Sequence, residues 1–134
     1  MERFLIRRES DISIAVVGVQ AMAKRQGFDT HQISKLATAV SELATNIHKY
    51  SSDHGGDILA KVENKPDQPL KISIQARDNG PGITNLEEAL LDHYSSSGTL
   101  GLGLPGVKRI SDEFHIVTKP GEGTIVSISI HQSL

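Results

Sequence analysis

Glu42 and Asn46, within the stretch SELATNIHKY at residues 41–50, stand four positions apart, and Lys49 follows three later. On a helix that spacing sets a carboxylate and an amide oxygen side by side. Such an oxygen suits a hard cation such as Mg2+, and the neighbouring carboxylate can take a proton from a hydroxyl. A solvated helix face accounts for the same spacing.

Two glycine-bearing clusters follow. DNGPG at residues 78–82 comes directly after an alternating apolar run. A carboxylate fixed at the end of a buried strand can accept from an exocyclic amine, while Gly80 and Gly82 let the chain turn beside a flat ring. The same five residues also make a plain turn. Further on, GLGLPG at residues 101–106 matches G-x-G-x-x-G literally. The dinucleotide fingerprint needs a buried strand just before its first glycine, and HYSSSGTL is no such strand. A Walker A loop is excluded because no Gly-Lys-Ser/Thr follows, and the eukaryotic kinase loop fails at Val107. Gly98, Gly101, Gly103 and Gly106 still suit phosphate, because bare backbone N–H groups can approach an anion at a helix start. A flexible surface loop is the alternative.

Other candidates carry less chemistry. His48, His54 and His93 lack zinc-ligand spacing, which leaves surface or packing roles. Ser95, Ser96 and Ser97 have no nucleophile-elbow context.

Stepping from these residues to the elements that hold them, the 134-residue length corresponds to one domain. With three Phe, two Tyr and no Trp, the core must come from Ile, Leu, Val and Ala. The formal charge of −2 and scattered basic residues leave no footprint for nucleic acid or an acidic membrane. There is no cysteine, and hence neither a disulfide nor thiolate chemistry. MERFLIRRES has no apolar signal core and no run reaches the ~20 apolar residues of a membrane span, so a cytoplasmic protein is expected.

Phe4, Leu5 and Ile6 start an edge strand. Ser10 or Asp11 then caps a helix whose face is Ile12, Ala15, Val16, Val19 and Ala23, ended by Gly27. A second helix runs from about Thr30 to Tyr50, with Ile33, Leu36, Ala37, Val40, Ala44 and Ile47 at three- and four-residue spacing. At ~100° per residue, Lys35, Thr38, Glu42, Asn46 and Lys49 share its opposite, polar face. ILAKV and LKISIQA form an antiparallel hairpin around the Pro66 and Pro69 turn, with Leu70, Ile72, Ile74 and Ala76 on one side. Leu86 to Leu91 forms a short helix, and Pro105 opens another reaching about Asp112. FHIVT and TIVSISI are the last two strands. The expected fold is α+β, a two-layer sandwich whose mixed, mainly antiparallel sheet is covered by helices on one face.

In order and spacing, these blocks resemble the Bergerat-type ATPase family of gyrase, the heat-shock chaperone, histidine kinases and mismatch-repair ATPases. That family carries E-x-x-x-N on a helix, D-x-G-x-G at a strand end, a glycine-rich lid and a late G-T, matched here by Gly123-Thr124. The short chain, SELATNIHKY and GLGLPGVKRISDEF look most like the anti-sigma-factor serine/threonine kinases, in particular the switch kinases of the bacterial stressosome. The likeness covers nearly the whole chain.

The resemblance implies ATP and Mg2+ as cofactors. Glu42 would be the general base, Asn46 the Mg2+ ligand and Lys49 a neighbour of phosphate. Asp78 would take the adenine amine with help from water and Thr124, and Gly80 and Gly82 would shape the adenine pocket. Residues from about 84 to 104 would form the lid, with Gly98, Leu100, Gly101, Leu102 and Gly103 on the phosphates. Histidine kinases of this superfamily often have Asn in place of Glu42, whereas a carboxylate suits a serine hydroxyl. The implied partners are a STAS-domain substrate, a stressosome scaffold and a metal-dependent serine/threonine phosphatase. The alternatives are a non-catalytic binding module with the same fold and an ATPase that works by conformational change.

Overall fold

The computed structural model describes residues 1–50, 55–80, 103–119 and 121–132. Its chain runs β1 (Glu2–Ile6), α1 (Glu9–Arg25), α2 (Thr30–Tyr50), β2 (Gly56–Glu63), β3 (Lys71–Asp78), α3 (Gly103–Ile110), β4 (Glu113–Lys119) and β5 (Gly123–His131). The expected helix at residues 86–91 lies outside the described residues, as does the HYSSSGTL stretch.

Alternation of apolar and polar residues gives each strand one dry face. Register then aligns those faces: Phe4, Ile58, Ala76, Val126 and Ile116 form one row, and Ala60, Ile74, Ile128 and Phe114 form the next. The strand order is β1-β2-β3-β5-β4 and every described pair is antiparallel. Among the described residues the sheet is wholly antiparallel, where a mixed, mainly antiparallel one was expected. β5 inserts beside β3 instead of continuing from an edge, and that reverses its direction relative to both neighbours.

The helices pack on the dry face, where Leu36, Val40 and Leu43 of α2 are fully buried. Trimming a buried leucine to alanine costs about 2–5 kcal/mol, so packing fixes the position of α2 far more firmly than any single cap. Its start is nonetheless capped. Asp29 Oδ1 accepts the Gln32 N–H at 2.8 Å, and Gln32 Oε1 accepts the Asp29 N–H at 3.0 Å. This reciprocal pair is a capping box. Gln32 Nε2 also donates to the His131 carbonyl at 2.8 Å, tying α2 to the end of β5.

α1 begins at Glu9, with Arg8 rather than Ser10 or Asp11 at the cap. Asp11 instead lies inside the first turn, where its carboxylate accepts the N–H groups of Arg7 and Arg8 at 3.0 and 2.9 Å. Those two bonds hold its pKa below the ordinary aspartate value, and the helix N-terminus favours the charge. The far end follows expectation: Gly27 has φ +80, and the Phe28 N–H returns to the Ala23 carbonyl.

Candidate functional site

The site is assembled where β3 ends, β5 begins and the C-terminal half of α2 passes over them. Asp78 is the last residue of β3 and lies in register with Thr124, the second residue of β5. Because Ile72, Ile74 and Ala76 face the helices, strand alternation sends the Asp78 side chain the same way. Asp78 Oδ1 accepts the Gly80 N–H at 2.9 Å, and its carboxyl takes a further backbone N–H from Thr124. Burial nevertheless wins over these two bonds and pushes the Asp78 carboxyl above its ordinary pKa. The two N–H groups use about half of its acceptor capacity, which leaves room for a donor from a ligand.

Close approach of β5 to this strand end depends on Gly123. It has φ +100, and a Cβ there would collide with the Asp78 carbonyl oxygen. Next to it, buried Thr124 shares a hydroxyl–hydroxyl bond of 2.9 Å with Thr118 of β4. Thr118 was not among the expected site residues. Its signal was present in the pairing of FHIVT with TIVSISI, because that register sets Thr118 opposite Thr124.

α2 supplies the other half. Gly56 is the register partner of Asp78, and a Cβ on it would come within 2.9 Å of Ile47 Cγ2. The absence of a side chain at Gly56 thus leaves room for the turn bearing Asn46 and Ile47 over the strand ends. Glu42 and Asn46 are both half-buried on the α2 surface, whereas Lys49 is exposed. Glu42 Oε2 accepts the N–H of Gly103, the first residue of α3, at 3.4 Å. Gly103 has φ +64, a conformation that costs a side-chain-bearing residue about 1–2 kcal/mol. Pro105 sits in the first turn of α3, as expected, and the helix ends at Ile110.

Asp78, Gly80 and Thr124 thus form one cluster at the strand ends, while Glu42 and Gly103 are joined on α2, with Asn46 one helical turn from Glu42. Gly82, Gly98, Leu100, Gly101 and Leu102 lie outside the described residues. Among the described residues, no three His, Asp or Glu side chains cluster as a metal cage. A half-buried amide oxygen is still compatible with Mg2+, which usually takes few protein ligands and completes its shell with phosphates and water.

A helix-backed antiparallel sheet with this site defines an ATPase class. Residues 31–134 match the family of histidine kinase-, DNA gyrase B- and HSP90-like ATPases, and the chain belongs to it. Within that class, it is 42% identical over 120 residues to the serine/threonine-protein kinase RsbT of Bacillus subtilis, covering 89% of this chain and 87% of the relative. It is 32% identical over 121 residues to the anti-sigma F factor of Shouchella clausii, covering 87% and 81%. Among solved structures, the RsbU and RsbW domains of a Mycobacterium tuberculosis protein align at a TM-score of 0.69 and 15% identity. That alignment covers all of this chain and 33% of the other. The mycobacterial sensor histidine kinase MprB aligns at a TM-score of 0.57 and 18% identity, over 98% of this chain and 97% of the other. These two structural likenesses support the fold.

Among the described residues, no helix is long and apolar enough to cross a membrane.

Proposed function

We propose that this chain is an ATP-dependent serine/threonine protein kinase of a bacterial partner-switching pathway, acting on a STAS-domain protein of a stressosome scaffold. The observation that carries this reading is Glu42, a half-buried carboxylate on the α2 face of the ATPase site, one helical turn from Asn46. Phosphoryl transfer needs positioning, charge neutralisation and a group oriented toward the incoming hydroxyl.

Asp78 and Thr124 hold the adenine end, with Asp78 accepting the exocyclic amine. Asn46 would hold Mg2+, which supplies charge neutralisation at the phosphates when bound. Glu42 accepts the proton from the substrate serine hydroxyl as its oxygen attacks the γ-phosphorus, and ADP leaves. Lys49, Gly80 and Gly82 border the nucleotide. The amides of Gly98, Leu100, Gly101, Leu102 and Gly103 belong to the lid over the phosphates. Binding and activation of a metal-dependent serine/threonine phosphatase is a second, separable output of the same chain.

The test is transfer of labelled γ-phosphate from ATP to a STAS-domain protein. Glu42→Gln should slow transfer by about 10²- to 10⁴-fold with ATP affinity retained. Undiminished transfer by the variant would remove Glu42 as base. Tight partner binding by wild type without any transfer would favour the non-catalytic binding module. Turnover of ATP with no protein acceptor would favour the conformational ATPase.

A further inference from the structure

The sheet face turned away from the helices carries a second organised feature. Register sets Leu5 opposite Asp57, Asp57 opposite Arg77, Arg77 opposite Ile125 and Ile125 opposite Val117. One straight row therefore crosses all five strands, and alternation places it on the open face. Its apolar members are well exposed, Leu5 by 49%, Val117 by 59% and Ile125 by 38%. The two following rows carry Gln75 and Ser127, then Ser73 and Ser129, on the central strands. A solvated face has no need of the apolar row.

The middle of the row is charged and built. Arg77 holds Asp57 through Nε and Nη2 at 2.8 and 2.7 Å, and Arg3 Nε adds a bond of 2.7 Å. Asp57 is buried beneath the two guanidiniums, whose hydrogen bonds keep its pKa below the ordinary aspartate value. Arg3 and Arg77 also line a cavity of about 620 Å³. The four cations around it, Arg3, Arg7, Arg77 and Lys119, outnumber the acidic Asp57 and Glu122, since the Asp78 carboxyl turns to the helix side. A second copy of this chain would set those cations against one another. An acidic occupant would complement them.

We propose that this row docks an extended acidic segment of a protein partner, with glutamate or aspartate on the arginines and apolar side chains on Leu5, Ile125 and Val117. The segment would lie on the reverse side of the strands that carry Asp78 and Thr124, both of which also border the cavity at the strand ends. The proposal does not depend on the kinase reading.

The test uses a fluorescein-labelled peptide alternating glutamate with leucine and valine, titrated by anisotropy against the full chain with saturating ATP. Wild type should bind it in a salt-sensitive manner, and a glutamine-for-glutamate peptide should bind about tenfold more weakly. The double variant Arg7→Glu with Lys119→Glu, and separately Val117→Ser with Ile125→Ser, should each weaken binding about tenfold while ATP affinity stays unchanged. Backbone amide shifts on peptide addition should fall on Arg77, Val117 and Ile125. Equal binding of the glutamine peptide, unchanged affinity in both double variants, or shifts centred on α2 would overturn the proposal. Sedimentation showing a dimer that both double variants dissolve would also overturn it, because the face would then belong to a second copy.

Discussion

Replacing Asp78 by asparagine separates the ligand role of this side chain from its structural one, because nucleotide affinity should fall while stability barely moves. In the free protein the carboxylate is half-buried, and burial raises its pKa despite N–H bonds from Gly80 and Thr124. Its charge is therefore a cost to the free fold that asparagine removes, while the amide oxygen can keep the bond to Gly80 and the Thr124 N–H loses a charged acceptor, an opposing loss. The two effects offset, and the free variant should melt within a few degrees of wild type. With nucleotide the balance tips, because the amide N–H2 group now meets the exocyclic amine of adenine, donor against donor. A hydrogen bond to a charged group contributes about 1.5–3 kcal/mol, and the ATP dissociation constant should rise roughly 10- to 150-fold. Isothermal titration with ATP gives the affinity, and thermal unfolding without nucleotide gives the stability. Unchanged ATP affinity would place adenine elsewhere, and a loss matched by an equal fall in melting temperature would make Asp78 a structural residue.

Gly123→Ala should cost about 2 kcal/mol or more, since it combines a strained φ with a Cβ pressed on the Asp78 carbonyl, and ATP affinity should fall with it. Urea unfolding and nucleotide titration of the same sample check both effects. On the open face, Glu113 accepts from Ser129, Lys71 and His131, which hold its pKa down at about 2 against 4.5 for an unperturbed glutamate. A depressed carboxylate stabilises above the unfolded value and loses that contribution as pH falls from about 4.5 towards 2. Because Glu113 is nearly half exposed, screening limits the contribution to roughly 1 kcal/mol. Urea midpoints measured from pH 6 down to 2 should converge for wild type and Glu113→Gln, and parallel curves would refute the assignment.

The legible parts of the fold were those written in local periodicity. α2 has the strongest three- and four-residue pattern and the structure returns its expected ends, Thr30 and Tyr50. The β2–β3 hairpin was also legible, because Pro66 precedes Asp67, whose φ of +63 completes the turn closed by Gln68 N–H on the Lys65 carbonyl. The capping box of Asp29 and Gln32 is local too, written as D-x-x-Q just before the apolar run of α2. Ser10 and Asp11 are both good cap types, yet the buried face of α1 pulls the helix start back to Glu9 and turns Asp11 into a first-turn acceptor. Strand adjacency beyond the hairpins was not legible. β3 and β5 lie far apart in sequence, and only burial of both on the same helices makes them neighbours. The family resemblance indicated Asp78 and Thr124 as site residues, whereas Thr118 follows only from the β4–β5 hairpin register that sets it opposite Thr124.

The bond from the Gly103 N–H to Glu42 makes α3 answerable to the side chain assigned the proton. A base that doubles as a latch can do both at once, because one N–H uses only part of a carboxylate's acceptor capacity. Chemistry and the entry of the chain into α3 would then share one carboxylate. Glutamine at position 42 keeps an oxygen for the latch and removes the base, whereas alanine would remove both.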